Sequence, residues 1–162
     1  MRVSFQGERR NTACRDLRGG CRVTGIPTSM EVIMAHAKIE VRKSRSATEI
    51  ADLIDAVYQA LLGALKVPED DNQIRYIEHK PEHFVVPPGK RENYTFVEIT
   101  LFPGRSLDAK RKLYQSIVRR FGELGIVPFD IVIVLNEPSL DNWGIRGGVP
   151  ASEIDIGFKL DV

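Results

Sequence analysis

Cysteine is nearly absent: Cys14 and Cys21 are the only two, both within the first 33 of 162 residues. Their spacing is not C-x-x-C, and no second pair completes a zinc site. A chain free of cysteine from residue 22 onward fits a reduced, cytoplasmic setting. Long apolar runs are missing too. None approaches the roughly 20 residues of a membrane span, and no apolar segment follows the leading arginines as a secretory signal requires. Charge of one sign is also lacking. The net charge is +1, so no global field argues for nucleic acid or an acidic surface. Neither membrane nor nucleic acid is expected as a partner.

The charge that is present is uneven. Residues 1–33 carry six arginines against Glu8, Asp16 and Glu31, a balance of +3 that leaves −2 for the rest. This stretch has no periodicity, mixes Gly19-Gly20 with scattered arginines, and stops just before Met34. It reads as a disordered extension or as the product of an upstream start codon, with Met30 and Met34 both candidate starts. Residues 34–162 read as a single domain; at 43% hydrophobic content the chain is long enough for one well-buried core.

What the chain has in strength is repetition. Arg45-Ser46 returns sixty residues later as Arg105-Ser106, and Val67-Pro68 returns as Val127-Pro128. Between these anchors Leu53 matches Leu113, Ile54 matches Tyr114, Val57 matches Ile117 and Leu61 matches Phe121. An alternating run precedes each anchor, Ile39-Glu40-Val41 in one half and Val97–Leu101 in the other. The pattern predicts a duplicated β-α-β unit, with repeats at about 35–92 and 93–162.

In the first unit, 37–43 is expected as a strand. A helix follows, capped by Ser46 with Glu49 completing a capping box. Its stripe is Ile50, Leu53, Ile54, Val57, Leu61 and Leu65. A second strand is expected around Gln73–Glu78, and Lys80–Asn93 as the linker. In the second unit a strand spans Tyr94–Phe102, and a helix runs from Ser106 to about Leu124, stopped by Gly125. The nearly all-apolar Phe129–Leu135 reads as a strand buried on both faces. Ile154, Ile156, Phe158, Leu160 and Val162 alternate as a short terminal strand. Pairing within each unit is expected to be parallel. The fold class is therefore α+β, β-α-β-β-α-β, with two helices on one face of a four-stranded sheet. Nothing in the sequence covers the other face, which predicts an oligomer.

The elements Gly104-Arg105-Ser106, Val127-Pro128 and Asn142-Trp143-Gly144-Ile145-Arg146-Gly147-Gly148 resemble the tautomerase superfamily. They are similar to its 4-oxalocrotonate tautomerase-like branch, in which a β-α-β unit carries Gly-Arg-Ser near its start and Phe-Gly-Ile-Gly-Gly near its end. Over residues 35–162 the chain looks like two such units fused. The resemblance implies a homotrimer, no cofactor, and an amino-terminal proline as proton shuttle. Such an amine, desolvated in an apolar pocket, loses its proton near neutrality. At the corresponding place this sequence has Met34-Ala35, so Ala35 stands where the family has proline. A chain starting at Met34 would expose a primary amine on Ala35 after removal of the methionine.

The same resemblance places Arg45 and Arg105 as carboxylate-binding arginines, where a guanidinium can fork onto two oxygens. It places Arg75 as a second, substrate-polarising arginine whose counterpart in the other repeat, near Ile133, is apolar. Glu137 falls where dehalogenase-like relatives keep a water-activating glutamate, and Trp143 where the family keeps a pocket aromatic. Each has a plainer reading. Arg45 could be solvated in a turn, Glu137 an exposed loop residue, and Trp143 core or interface packing. Gly144–Gly148 lacks the Lys and Ser/Thr of a phosphate loop. His79 and His83 lack a third metal ligand, and no Ser-His-Asp set stands out. The implied activity is cofactor-free keto–enol tautomerisation of a small 2-oxo acid or enol carboxylate. The rivals are a hydratase or dehalogenase using Glu137, and an inactive trimeric binding protein.

Overall fold

The computed structural model describes residues 35–66 and 72–155. The leading segment 1–33 and the tail positions from Ile156 to Val162, expected above as an extension and a terminal strand, lie outside the described residues.

Strand β1 (Ala35–Val41) leads into helix α1 (Ala47–Leu65) and then β2 (Asn72–Glu78). The second unit repeats this as β3 (Thr95–Leu101), α2 (Leu107–Glu123) and β4 (Ile131–Asn136). The strands form one sheet in the order β2-β1-β3-β4. β1 pairs β2 and β3 pairs β4 in parallel, while the two units meet through an antiparallel β1–β3 seam. Each parallel pair is joined by its own helix, as a crossover requires.

Local chemistry explains both helix starts. Ser46 accepts from the Glu49 amide while the Glu49 carboxylate accepts from the Ser46 amide at 2.9 Å. Ser106 caps α2 by accepting from Ala109 N at 3.2 Å. α1 buries Leu53, Val57, Leu61 and Leu65, and α2 buries Leu113, Ile117 and Phe121. These meet the alternate residues Ala37, Ile39, Val41 and Val97, Ile99, Leu101 of the central strands in one apolar layer. Each large aliphatic or aromatic side chain buried there contributes about 1.5–3 kcal/mol.

The opposite face of the sheet carries Lys38, Glu40, Phe96, Glu98 and Thr100, all half-buried, with no helix over it among the described residues.

Three expectations need correction. β1 begins and ends two residues earlier than 37–43, because the register pairs Ala35 with Leu101 and Val41 with Thr95. The run Phe129–Leu135 is not one strand. Pro128 opens a short 3-10 turn, Pro128–Asp130, and the strand starts only at Ile131. Nor is that strand buried on both faces. β4 is the sheet edge, and Phe129 is 67% exposed. Its apolar residues divide between the helix layer (Ile131, Ile133, Leu135) and the uncovered face.

Past β4 the chain forms a small structure the sequence did not suggest. A 3-10 turn, Leu140–Asn142, leads to the two-residue strands β5 (Gly144–Ile145) and β6 (Val149–Pro150), which pair as a hairpin. It encloses a second apolar cluster of Phe102, Trp143, Ile145 and Ala151, separate from the main core.

Candidate active site

β1 begins at Ala35, directly across the seam from Leu101 at the end of β3. The turn that follows β3 therefore lies at the edge where β1 starts, and β4, parallel to β3, ends there as well. Phe102 is buried, Gly104 turns the chain with φ +113°, and Arg105 is only 6% exposed. A positive φ of this size favours glycine, which explains why it precedes the arginine.

Arg105 lies close enough to Glu137 for its charge to be felt. Burial pushes the guanidinium below its ordinary value, and the Glu137 carboxylate opposes that shift. Glu137 follows β4 and forms an ion pair with Lys110 in the first turn of α2. Its other oxygen, Oε1, is buried with no hydrogen-bond partner.

Trp143 closes the site. It is 8% exposed and meets Phe102 edge-on, with centroids 4.9 Å apart and an 82° interplanar angle. On another side it stacks on His36, at 5.7 Å and 14°. Its indole Nε1 donates to the Pro138 carbonyl at 3.3 Å, tying the ring to the segment that carries Glu137. Ala151 N donates to the Trp143 carbonyl at 2.9 Å, which anchors the hairpin behind it. The Ala35 side chain is buried toward the helices, and His36, the next residue, points to the opposite face.

Of the residues singled out from sequence, Ala35, Arg105, Glu137 and Trp143 meet at this end of the sheet. Arg45 and Arg75 do not join them within one chain. Arg45 follows β1 as Arg105 follows β3, so the antiparallel seam sends the two arginines to opposite ends. A seven-residue strand at about 3.3 Å per residue separates those ends by roughly 20 Å. Arg75 pairs in register with Lys38 in mid-strand and is exposed. Its counterpart by register is Val134, beside Glu98, rather than Ile133.

Sequence reasoning missed Lys110, Phe102 and the stacking role of His36. Only Phe102 had a signal, its place immediately before the Pro-Gly-Arg-Ser turn. The other two depend on contacts between distant segments.

Comparisons with known proteins agree with this architecture. Residues 71–146 match the family model described as tautomerase enzyme. The probable tautomerase YusQ of Bacillus subtilis (strain 168) is 30% identical over 122 residues, covering 71% of this chain and 95% of that protein. In fold, the chain is similar to malonate semialdehyde decarboxylase, a protein with decarboxylase and hydratase activities. That TM-score is 0.63 at 24% identity, over 72% of this chain and 93% of the other. It is similar also to native fused 4-OT, with a TM-score of 0.67 at 16% identity over 74% and 98%. With the duplicated unit, the Arg105 turn and a relative matched along nearly its whole length, the chain belongs to the tautomerase superfamily.

Proposed function

We propose that the protein is a cofactor-free keto–enol tautomerase acting on a small 2-oxo acid or its enol. The observation that carries this reading is the buried Arg105, held beside Glu137 at the end of the sheet where β1 begins. A guanidinium so shielded forks onto a carboxylate far more strongly than one in water.

In a chain that begins at Ala35, the α-amine stands at this end. An ordinary α-amine titrates at about 7.7–8.0, and burial beside cations favours its neutral form. The neutral amine takes the proton from the enol oxygen, and the resulting ammonium returns a proton to the adjacent carbon. Arg105 holds the substrate carboxylate and offsets the charge that develops on oxygen, the larger electrostatic share of such catalysis. Phe102 and Trp143 keep water from the reacting carbon. A proton moved between carbon and oxygen changes no oxidation state, so no cofactor is required.

The assembly proposed is a homotrimer. Structures of fused 4-OT, 18% identical to this chain, are trimers. Here the uncovered sheet face joins Phe96, Ile77 and Val132 to the Lys38–Glu98 ion pair at 3.0 Å, a mixed surface suited to a subunit contact. Arg75 lies on that face, so it serves a site only across a subunit boundary.

The test is enol-to-keto conversion of phenylpyruvate by two proteins. One begins at Ala35 after confirmed removal of Met34; the other carries residues 1–34. Turnover well above buffer from the first alone is expected. A flat trace from both, or equal rates from both, overturns the amine as base.

One observation favours a second reading. The buried, unpartnered Oε1 of Glu137 is placed to hold a water molecule for addition to a substrate. Under that reading Glu137→Gln abolishes hydration of an unsaturated acid, and the start of the chain does not matter.

A further inference from the structure

The two repeats can be compared position by position. Each keeps an arginine after its first strand, Arg45 in one and Arg105 in the other. Each also keeps a glutamate at the end of its second strand. Glu78 lies six residues beyond Asn72, the partner of Ala35, and Glu137 lies six beyond Ile131, the partner of Thr95. A third position differs. The fourth residue of α1 is Ile50, and the fourth residue of α2 is Lys110. The lysine belongs only to the unit that carries Arg105.

α2 itself gives no reason for a lysine there. A cation in the first helical turn meets the positive end of the helix dipole. What holds Lys110 is Glu137, paired to it through Oε2, with the two side chains 23% and 21% exposed. Partial shielding makes such a pair stronger than one in open water. In the other repeat Glu78 accepts instead from the Ser44 hydroxyl, a neutral donor.

The pairing acts on the arginine as well. Glu137 is the carboxylate whose charge Arg105 feels. Left to itself, it would cancel much of the field that attracts a substrate carboxylate. Lys110 draws on the same carboxylate, so the three groups together sum to +1. That suits one carboxylate and not two. A second carboxylate on the ligand would find Lys110 already paired and would meet the charge of Glu137. The walls beside it, Phe102 and Trp143, are aromatic.

We propose that the Lys110–Glu137 ion pair sets the specificity of this site, admitting a monocarboxylate with an uncharged far end and rejecting dicarboxylates. Lys110 is a positioning residue: it acts through Glu137 and does not touch the ligand. The proposal rests on the reading that Arg105 binds the substrate carboxylate, and it requires neither the amine nor turnover.

The test uses the full chain and two straight-chain acids of equal carbon count that cannot tautomerise in water, hexanoate and adipate. They differ by the second carboxylate. Binding is read at low ionic strength from the fluorescence of Trp143, the only tryptophan. The wild type is expected to bind hexanoate about tenfold more tightly than adipate. Lys110→Met, which leaves Glu137 to oppose the ligand, should weaken hexanoate about tenfold, whereas Lys110→Arg should not. Glu137→Gln releases Lys110 for a second carboxylate and should turn the preference toward adipate. The double variant Lys110→Met/Glu137→Gln removes both charges and should bind hexanoate within about twofold of wild type. A lysine that only supported the fold would give no such rescue.

The proposal is overturned by a wild-type indole that ignores hexanoate, or by a Lys110→Met protein that binds it as the wild type does. It is overturned equally by a double variant as weak as Lys110→Met, or by a Glu137→Gln protein with no gain for adipate. Phenylpyruvate turnover is a separate readout. A flat trace beside the expected binding pattern ends the tautomerase reading and leaves the specificity pair standing.

Discussion

Trp143→Ala is expected to cost about 3–5 kcal/mol, the range for removing a large aromatic from a packed site. The magnitude follows from what the ring touches. It is nearly buried, packs edge-on against Phe102 at 4.9 Å, stacks on His36 at 5.7 Å, and donates from Nε1 to Pro138 at 3.3 Å. Each aromatic contact adds about 0.5–1.5 kcal/mol beyond area burial, and the neutral hydrogen bond about 1 kcal/mol. Trp143→Phe, which keeps a ring but loses the donor, should therefore lose far less, about 1–2 kcal/mol. Urea unfolding followed by far-UV circular dichroism, at one fixed protein concentration, measures both. A double-mutant cycle with Phe102→Leu then isolates the ring–ring contact, with a coupling of about 0.5–1.5 kcal/mol expected. Because Trp143 is the only tryptophan in the chain, its fluorescence also reports on this site alone in the wild type. If Trp143→Ala falls within about 0.5 kcal/mol of wild type, the scale of an ordinary surface change, or the coupling is zero, the ring is not part of the cooperative fold and the closed site described here is wrong.

Other consequences can be checked with the same assay. Ser46→Ala removes the hydroxyl half of the α1 capping box and should cost about 1 kcal/mol. The loss should shrink in acid, since the Ser46 amide and hydroxyl hold Glu49 below the ordinary carboxylate value; that contribution is present above the unfolded value and disappears as pH falls through the folded one. Burial raises the Tyr94 hydroxyl, so the folded state holds its proton more firmly than the unfolded chain. Stability should be complete below about pH 10 and decline as pH rises through the raised value, and Tyr94→Phe should flatten that decline. Gly125→Ala at φ +81°, with open space around the position, should cost about 1 kcal/mol from backbone strain alone. A larger loss would mean that a side chain there collides with something not seen.

The two helices, their caps and their buried stripes were legible in the sequence because the interactions that specify them span three or four residues. Parallel pairing inside each unit was legible for a related reason, since a strand, helix and strand in series admit one common handedness. The repeat carried both inferences across the whole chain. Of the candidate site, Arg105, Glu137 and Trp143 were legible as motif residues, and the structure brings them to the edge of the sheet where Ala35 begins β1. What no local pattern contains is the seam between the units. The antiparallel pairing of β1 with β3 matches residues about sixty positions apart, and its direction places Arg105 with Ala35 and sends Arg45 to the other end. The same long-range arrangement makes β4 an edge strand, although its apolar run reads as interior. It also brings the β5–β6 hairpin over His36 and Phe102. Composition and periodicity report how each segment meets a core; which segments meet one another is a matter of tertiary register, and that register decides which arginine stands at the end of the sheet where Ala35 begins β1.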